Sequence, residues 1–200
     1  MTLATYQELL DALADWSNRD DLGPRLASFV ALCESKLNRT LRVARMESVA
    51  TLAVPAGAAQ VALPDDCLEL RSVRLAQPVD LPLRQGSIEW PPAAAALPSA
   101  FAVIGGALRL LPAAAQAASL QLVYYAALPP LEIAGSNWLL TRHPDVYLYG
   151  ALSEAQGYVL DEARLVLWQS LYEAALDQVG AEDRHARWSG SSLAPLPAGP

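Results

Sequence analysis

The chain has 200 residues, 53% of them hydrophobic and only 18% charged, with 14 Lys and Arg against 21 Asp and Glu for a formal net charge of −7. That apolar content can fill one sizeable core, and the acidic balance argues against a protein that grips nucleic acid, which needs clustered cations to neutralise phosphates. Cys33 and Cys67 offer neither a metal-ligand spacing nor a disulfide framework and are expected to be reduced thiols. The first stretch, MTLATYQELLDALADW, carries acids and no basic n-region, so it is expected to be neither a signal nor a transit peptide. No apolar run approaches the ~20 residues of a membrane-spanning helix.

In chain order, Thr5 and Glu8 form a T-x-x-E capping box ahead of Tyr6, Leu9, Leu13 and Trp16 at helical spacing, which predicts a helix over about 6–18. Gly23-Pro24 breaks it, and Leu26, Phe29, Val30, Cys33 and Leu37 then trace one face of a second helix over about 24–40. From about 46 to 127 the texture changes to short β-rich runs: 49–54, 60–63, 68–75, 101–104, 107–111 and 119–127. Gly105-Gly106 between FAVI and ALRLL is a two-residue hairpin turn. The proline-rich stretch 77–99 is expected to be an irregular surface excursion. Helical periodicity returns at Pro144, with Leu148, Ala151, Leu152, Ala155 and Val159 on one stripe, predicting a helix over about 144–160. A last helix over about 162–181 carries a seam of Leu165, Trp168, Tyr172, Ala175 and Val179. Leu148, Leu152 and Ala155 are expected to pack on Leu165, Trp168 and Tyr172, with Trp16 and Phe29 joining them. Residues 189–200, SGSSLAPLPAGP, form a C-terminal extension without means to build a core.

The expected fold class is α+β: a four-helix bundle of the N- and C-terminal helix pairs, with a small antiparallel β region inserted between them. One domain covers 1–188.

Residues that could carry chemistry are few. His143 precedes a helix start and His185 sits in the charged run EDRHAR, where capping and solvation are the plain readings. The pairs Asp20-Asp21, Asp65-Asp66 and Asp161-Glu162 fall at expected turns or helix starts, which favour Asp. No phosphate-loop, dinucleotide or nucleophile-elbow motif occurs. A hydrolase using Asp65 or Asp66 with His143 is the weakest of the readings; no cofactor, no metal and no enzymatic activity are expected. Lys36, Arg39, Arg42 and Arg45 recur every third residue, a spacing that winds around a helix and makes no DNA-reading stripe.

Five stretches taken together carry a resemblance: TYQELLDALADWSNRDDL, FVALCESKLNRTLRVARMES, LPDDCLELRSVRL, LQLVYYAALPPL and SNWLLTRHPDVYLYGALSEAQGYVLDEARLVLWQSLYEAAL. In order and spacing they resemble the phage adaptor proteins of the head-tail connector, most strongly at NRTLRVARME and SNWLLTRHPDVYLYGAL. The resemblance implies a virion protein, made and assembled in the host cytoplasm. Such a chain joins neighbouring copies in a ring, commonly dodecameric, beneath the portal protein. The ring meets a downstream tail or nozzle protein and lets DNA pass through its lumen without sequence-specific binding. The alternative is another tail ring, a terminator or tail-tube protein. Expected partner contacts are Leu81, Leu83, Ile88 and Trp90 in the proline-rich stretch, Arg39, Arg42 and Arg45 at the end of the second helix, and Trp188, Leu193 and Leu196 at the C-terminal end.

Overall fold

A computed structural model describes residues 3–86, 97–159 and 162–188. The chain divides into a helical unit, Met1–Ala44 with Leu128–Pro200, and a β-rich unit, Arg45–Ala127.

In the helical unit, α1 spans Tyr6–Ser17. Its capping box is formed: Glu8 N donates to Thr5 Oγ1 at 3.3 Å and Thr5 N donates to Glu8 Oε2 at 3.0 Å, satisfying two otherwise orphaned donors. Asn18, at φ 51°, ends the helix in the left-handed region that Asn tolerates better than most residues. A 3₁₀ turn, Asp20–Arg25, carries Pro24 and leads into α2, Leu26–Thr40, whose buried residues Leu26, Phe29, Val30, Cys33 and Leu37 are the face read from the sequence. After the β unit come α3 (Leu131–Ala134), α4 (Trp138–Arg142), α5 (Pro144–Val159) and α6 (Glu162–Trp188). The segment that carries α3 is tied to α1 and α2 by three hydrogen bonds. Leu131 N donates to Glu34 Oε1 at 2.8 Å, Leu128 N to Asn38 Oδ1 at 2.9 Å, and Tyr6 N to Gly135 O at 2.7 Å.

The four-helix bundle expected from the sequence is not what forms. Six α-helices occur among the described residues, and α5 is packed against α1, α2, α4 and α6. The reason lies in α5 itself. Val146, Tyr147, Leu148, Ala151, Leu152 and Ala155 are all buried, and so are Ser153 and Gln156, so the helix is covered on several sides where a bundle helix would show one stripe. Its partners can then be unequal. On α6, Tyr172, Ala175 and Val179 are buried, while Leu165 and Trp168 are only half-buried. Phe29 is in the core as expected; Trp16 is not, with 45% of its surface exposed.

Among the described residues the β unit holds two four-stranded sheets where one small antiparallel sheet was expected. Its strands are β1 (Glu47–Val54), β2 (Gln60–Ala62), β3 (Cys67–Gln77), β4 (Leu81–Pro82), β5 (Arg84–Gln85), β6 (Ala100–Ile104), β7 (Ala107–Leu111) and β8 (Ala118–Ala126). One sheet has the order β1-β8-β3-β4, antiparallel throughout, and the other β2-β7-β6-β5, in which β5 and β6 run parallel. The first and last strands of the unit are neighbours, with Glu47 opposite Tyr125 and Val54 opposite Ala118. Gly105 and Gly106 turn the β6–β7 hairpin at φ 56° and 78°, values that a two-residue turn matched to strand twist requires and that side chains resist. Val54, Val73, Leu75, Leu108, Leu110, Leu120 and Leu122 from both sheets form one buried cluster with Leu83 and Phe101. The two-residue strands β4 and β5 place regular pairing inside a stretch read as irregular. Pro82 is tolerated there because β4 is an edge strand.

Burial of Glu34 raises its carboxyl pKa, with Glu132 nearby adding to the rise and the hydrogen bond from Leu131 N opposing it. A carboxyl harder to ionise in the fold than in the open chain stabilises most below the ordinary carboxylate range, and that contribution is lost as pH rises through the raised pKa. Glu34→Gln keeps the oxygen that Leu131 N needs and removes the charge. It is expected to flatten part of the fall in urea midpoint as pH rises above the ordinary carboxylate range; an unchanged slope would show that Glu34 does not contribute to it.

Candidate interaction surface

Of the chemistry-bearing residues, His143 and Asp66 are held by structural partners. His143 is the C-cap of α4, and its Nε2 lies 3.4 Å from Glu182 Oε2 on α6. Asp66, in the β unit, accepts from Tyr124 Oη at 3.1 Å, while its carbonyl accepts from Ala127 N. Asp65 and His185 are exposed. Among the described residues no group of three or more His, Cys, Asp and Glu could hold a metal ion, and no helix is long and apolar enough to cross a membrane. A shallow depression lined by Arg71, Arg74, Gln85 and Phe101 is present in the β unit. Its arginines already have partners: Arg71 pairs with Glu47, and Arg74 makes a two-toothed contact with Asp80 at 2.7 and 3.0 Å.

Both cysteines are free. Cys33 is fully buried, and burial pushes its thiol pKa up; Cys67 is half-buried and raised for the same reason. Because the thiolate is the reactive form, a thiol reagent is expected to modify Cys67 first in the native chain and Cys33 only at the rate of opening. Equal labelling rates in the folded state would contradict this.

The expected contact residues separate into distinct groups. Arg39 Nε donates to Ser35 O at 3.2 Å, and Arg42 Nη1 to Asn38 O and Leu41 O at 2.9 and 2.6 Å, so both serve the carbonyl-rich end of α2. Arg45 is exposed in a 3₁₀ turn, Ala44–Met46, whose Ala44 N donates to Asp183 Oδ1 of α6 at 2.6 Å. Leu81 is exposed. Leu83 is corrected: it is 7% exposed and belongs to the chain's own β core, because the short strands on either side of it turn its side chain inward. Trp188 ends α6, so the helix takes the continuation past Ala181 that the sequence leaves open, and 64% of the Trp188 surface is exposed. Ile88, Trp90, Leu193 and Leu196 lie outside the described residues.

Sequence reading missed an aromatic cluster of the helical unit. Trp16 of α1, Tyr149 of α5 and Trp168 of α6 form a three-ring cluster, with centroids 6.3 Å (Trp16–Tyr149), 5.8 Å (Trp16–Trp168) and 5.9 Å (Tyr149–Trp168) apart. Val166 and Leu167, just before Trp168, are exposed as well. A signal was available: RLVLW puts four apolar residues in succession on a helix, more than one stripe can bury.

Trp16, Val166 and Leu167 thus leave large apolar groups exposed on the helical unit, a feature of surfaces that meet other proteins. A family model described as SU10 adaptor protein matches residues 4–196, and the chain belongs to that family of phage adaptor proteins. No curated protein matches the sequence.

Proposed function

We propose that this chain is a ring subunit of the phage neck: neighbouring copies close a dodecameric ring that docks on the portal protein, receives a downstream tail or nozzle protein, and forms part of the DNA conduit. The observation that carries this reading is the adaptor-family match over 4–196, which covers both the helical and the β unit. The exposed apolar groups support it, since a subunit of a cyclic assembly needs two different contact surfaces. The net charge of −7 supports a conduit, because a basic lumen would retain DNA phosphates. In this reading Leu81, Arg39, Arg42, Arg45, Trp188 and the segment with Ile88 and Trp90 supply contacts to neighbouring copies and to the portal, and the role is structural, without catalysis.

The test is a reconstruction of the virion neck together with pull-down of the purified chain by tailless, portal-containing heads. Density for this chain directly beneath the portal, and retention on heads, is the expected result. A position farther down the tail would assign it to a terminator or tail-tube ring instead.

A further inference from the structure

We propose that the segment following α6, through Leu193 and Leu196, docks on the Trp16–Tyr149–Trp168 patch of a second copy of this chain. The patch has what an extended, proline-containing segment needs. Three rings lie within 6.3 Å of one another, and Trp16 leaves 45% of its surface open. Aromatic surfaces of this kind take proline-rich chains because such chains lose little conformational freedom on docking.

The segment SGSSLAPLPAGP has no charged side chain, so nothing in it resists an apolar surface. In the extended left-handed helix that proline favours, residues three apart share an edge. Leu193 and Leu196 are three apart, with Pro195 and Pro197 beside Leu196.

Reach decides between the chain's own patch and another copy's. Trp168 lies twenty residues before Trp188 at the end of α6, about 30 Å along the helix at ~1.5 Å per residue. Leu193 and Leu196 follow Trp188 by five and eight residues, which span at most ~18 and ~29 Å even fully extended. Folding straight back, Leu193 falls ~12 Å short of its own Trp168 and Leu196 comes level with it only when fully extended with no turn, so the two cannot seat together on their own patch. The occupant is therefore the segment of a different copy, and each chain offers one patch and one segment, a head-to-tail arrangement that closes into a ring when the rotation between copies permits. The inference deepens the ring reading and rests on it only in requiring a second copy nearby.

The test is a fluorescently labelled synthetic peptide of residues 189–200 titrated with the full chain, read by anisotropy. Saturable binding is expected. It should weaken at least about tenfold when the peptide carries Leu193→Ser and Leu196→Ser, and at least about fivefold when the chain carries Trp16→Ala, as the loss of anchor side chains does. Ile133→Ala, at a position 86% exposed and outside the patch, should leave it unchanged. The peptide variants leave the protein untouched, so the result stands whatever Trp16→Ala does to folding. No saturable binding, or binding indifferent to both leucines, overturns the proposal while leaving the ring reading intact. A virion with this chain away from the neck overturns the ring reading while peptide binding stands.

Discussion

Replacing Asn137 with Ala is expected to lower the stability of the chain by about 3 kcal/mol, a large loss for one polar side chain. Asn137 is 8% exposed, and its side chain does three jobs. Its Oδ1 caps α4 by accepting from Leu139 N at 3.1 Å and Leu140 N at 2.9 Å. Its Nδ2 donates to Pro129 O at 3.1 Å and to Tyr147 Oη at 2.7 Å. A lost cap costs roughly 1 kcal/mol. Tyr147 is fully buried, so Ala also strips a partner from a hydroxyl that water cannot reach, at about 1–3 kcal/mol. Urea denaturation followed by circular dichroism measures the loss. Adding Tyr147→Phe removes the stranded hydroxyl, so the double variant should lose clearly less than the sum of the two single ones. Strict additivity would show that the Asn137–Tyr147 bond does not contribute.

Two glycines of the same helix should respond with opposite signs. A Cβ on Gly150 would overlap Cys33 Sγ of α2 and approach Tyr172 of α6 to 2.9 Å. Gly150→Ala is therefore expected to cost about 1–3 kcal/mol through overpacking, although Ala is intrinsically the better helix former. Gly157 has nothing within 4 Å of such an atom, and Gly157→Ala is expected to stabilise by roughly 0.4–1 kcal/mol. Melting temperatures of the two variants check both signs. If Gly150→Ala proved as stable as Gly157→Ala, the close meeting of α2, α5 and α6 would be disproved. Asn137, Tyr147 and Gly150 all fall within SNWLLTRHPDVYLYGAL, the stretch where the family resemblance is strongest, so that stretch codes for a polar clamp and a tight helix crossing.

Local rules are legible where a few neighbouring residues suffice to state them. Thr5 and Glu8 announce α1, Gly105-Gly106 announces the β6–β7 hairpin, and the six longer strands fall on the short β-rich runs between turn residues. Partnership is not legible. The stripes on the long helices show that faces are buried but not by what, so they suggest a symmetric bundle where α5 is in fact central. Nor does alternation in β1 or β7 say which sheet receives the strand. With four and five residues, α3 and α4 are too short for a helical period to repeat, and only Asn137 marks the start of the second. Trp16 and Trp168 read as core because aromatic residues at helical spacing usually are; here their rings cluster with Tyr149 at the edge of the packing. The same bias hides the patch, since a tryptophan assigned to the interior is not sought on the surface.

The pairing of β1 with β8 has a bearing on how such chains diversify. Glu47 and Tyr125 stand opposite each other, so the polypeptide departs toward the β unit and comes back through a single doorway one strand spacing wide, ~5 Å. To the helical framework, a long interruption of its sequence is thus presented as a loop already closed, and the entropy of holding its ends together is met within the insert. Enlarging or trimming such an insert beyond its first and last strands therefore adds little closure entropy to the cost of folding the helical framework.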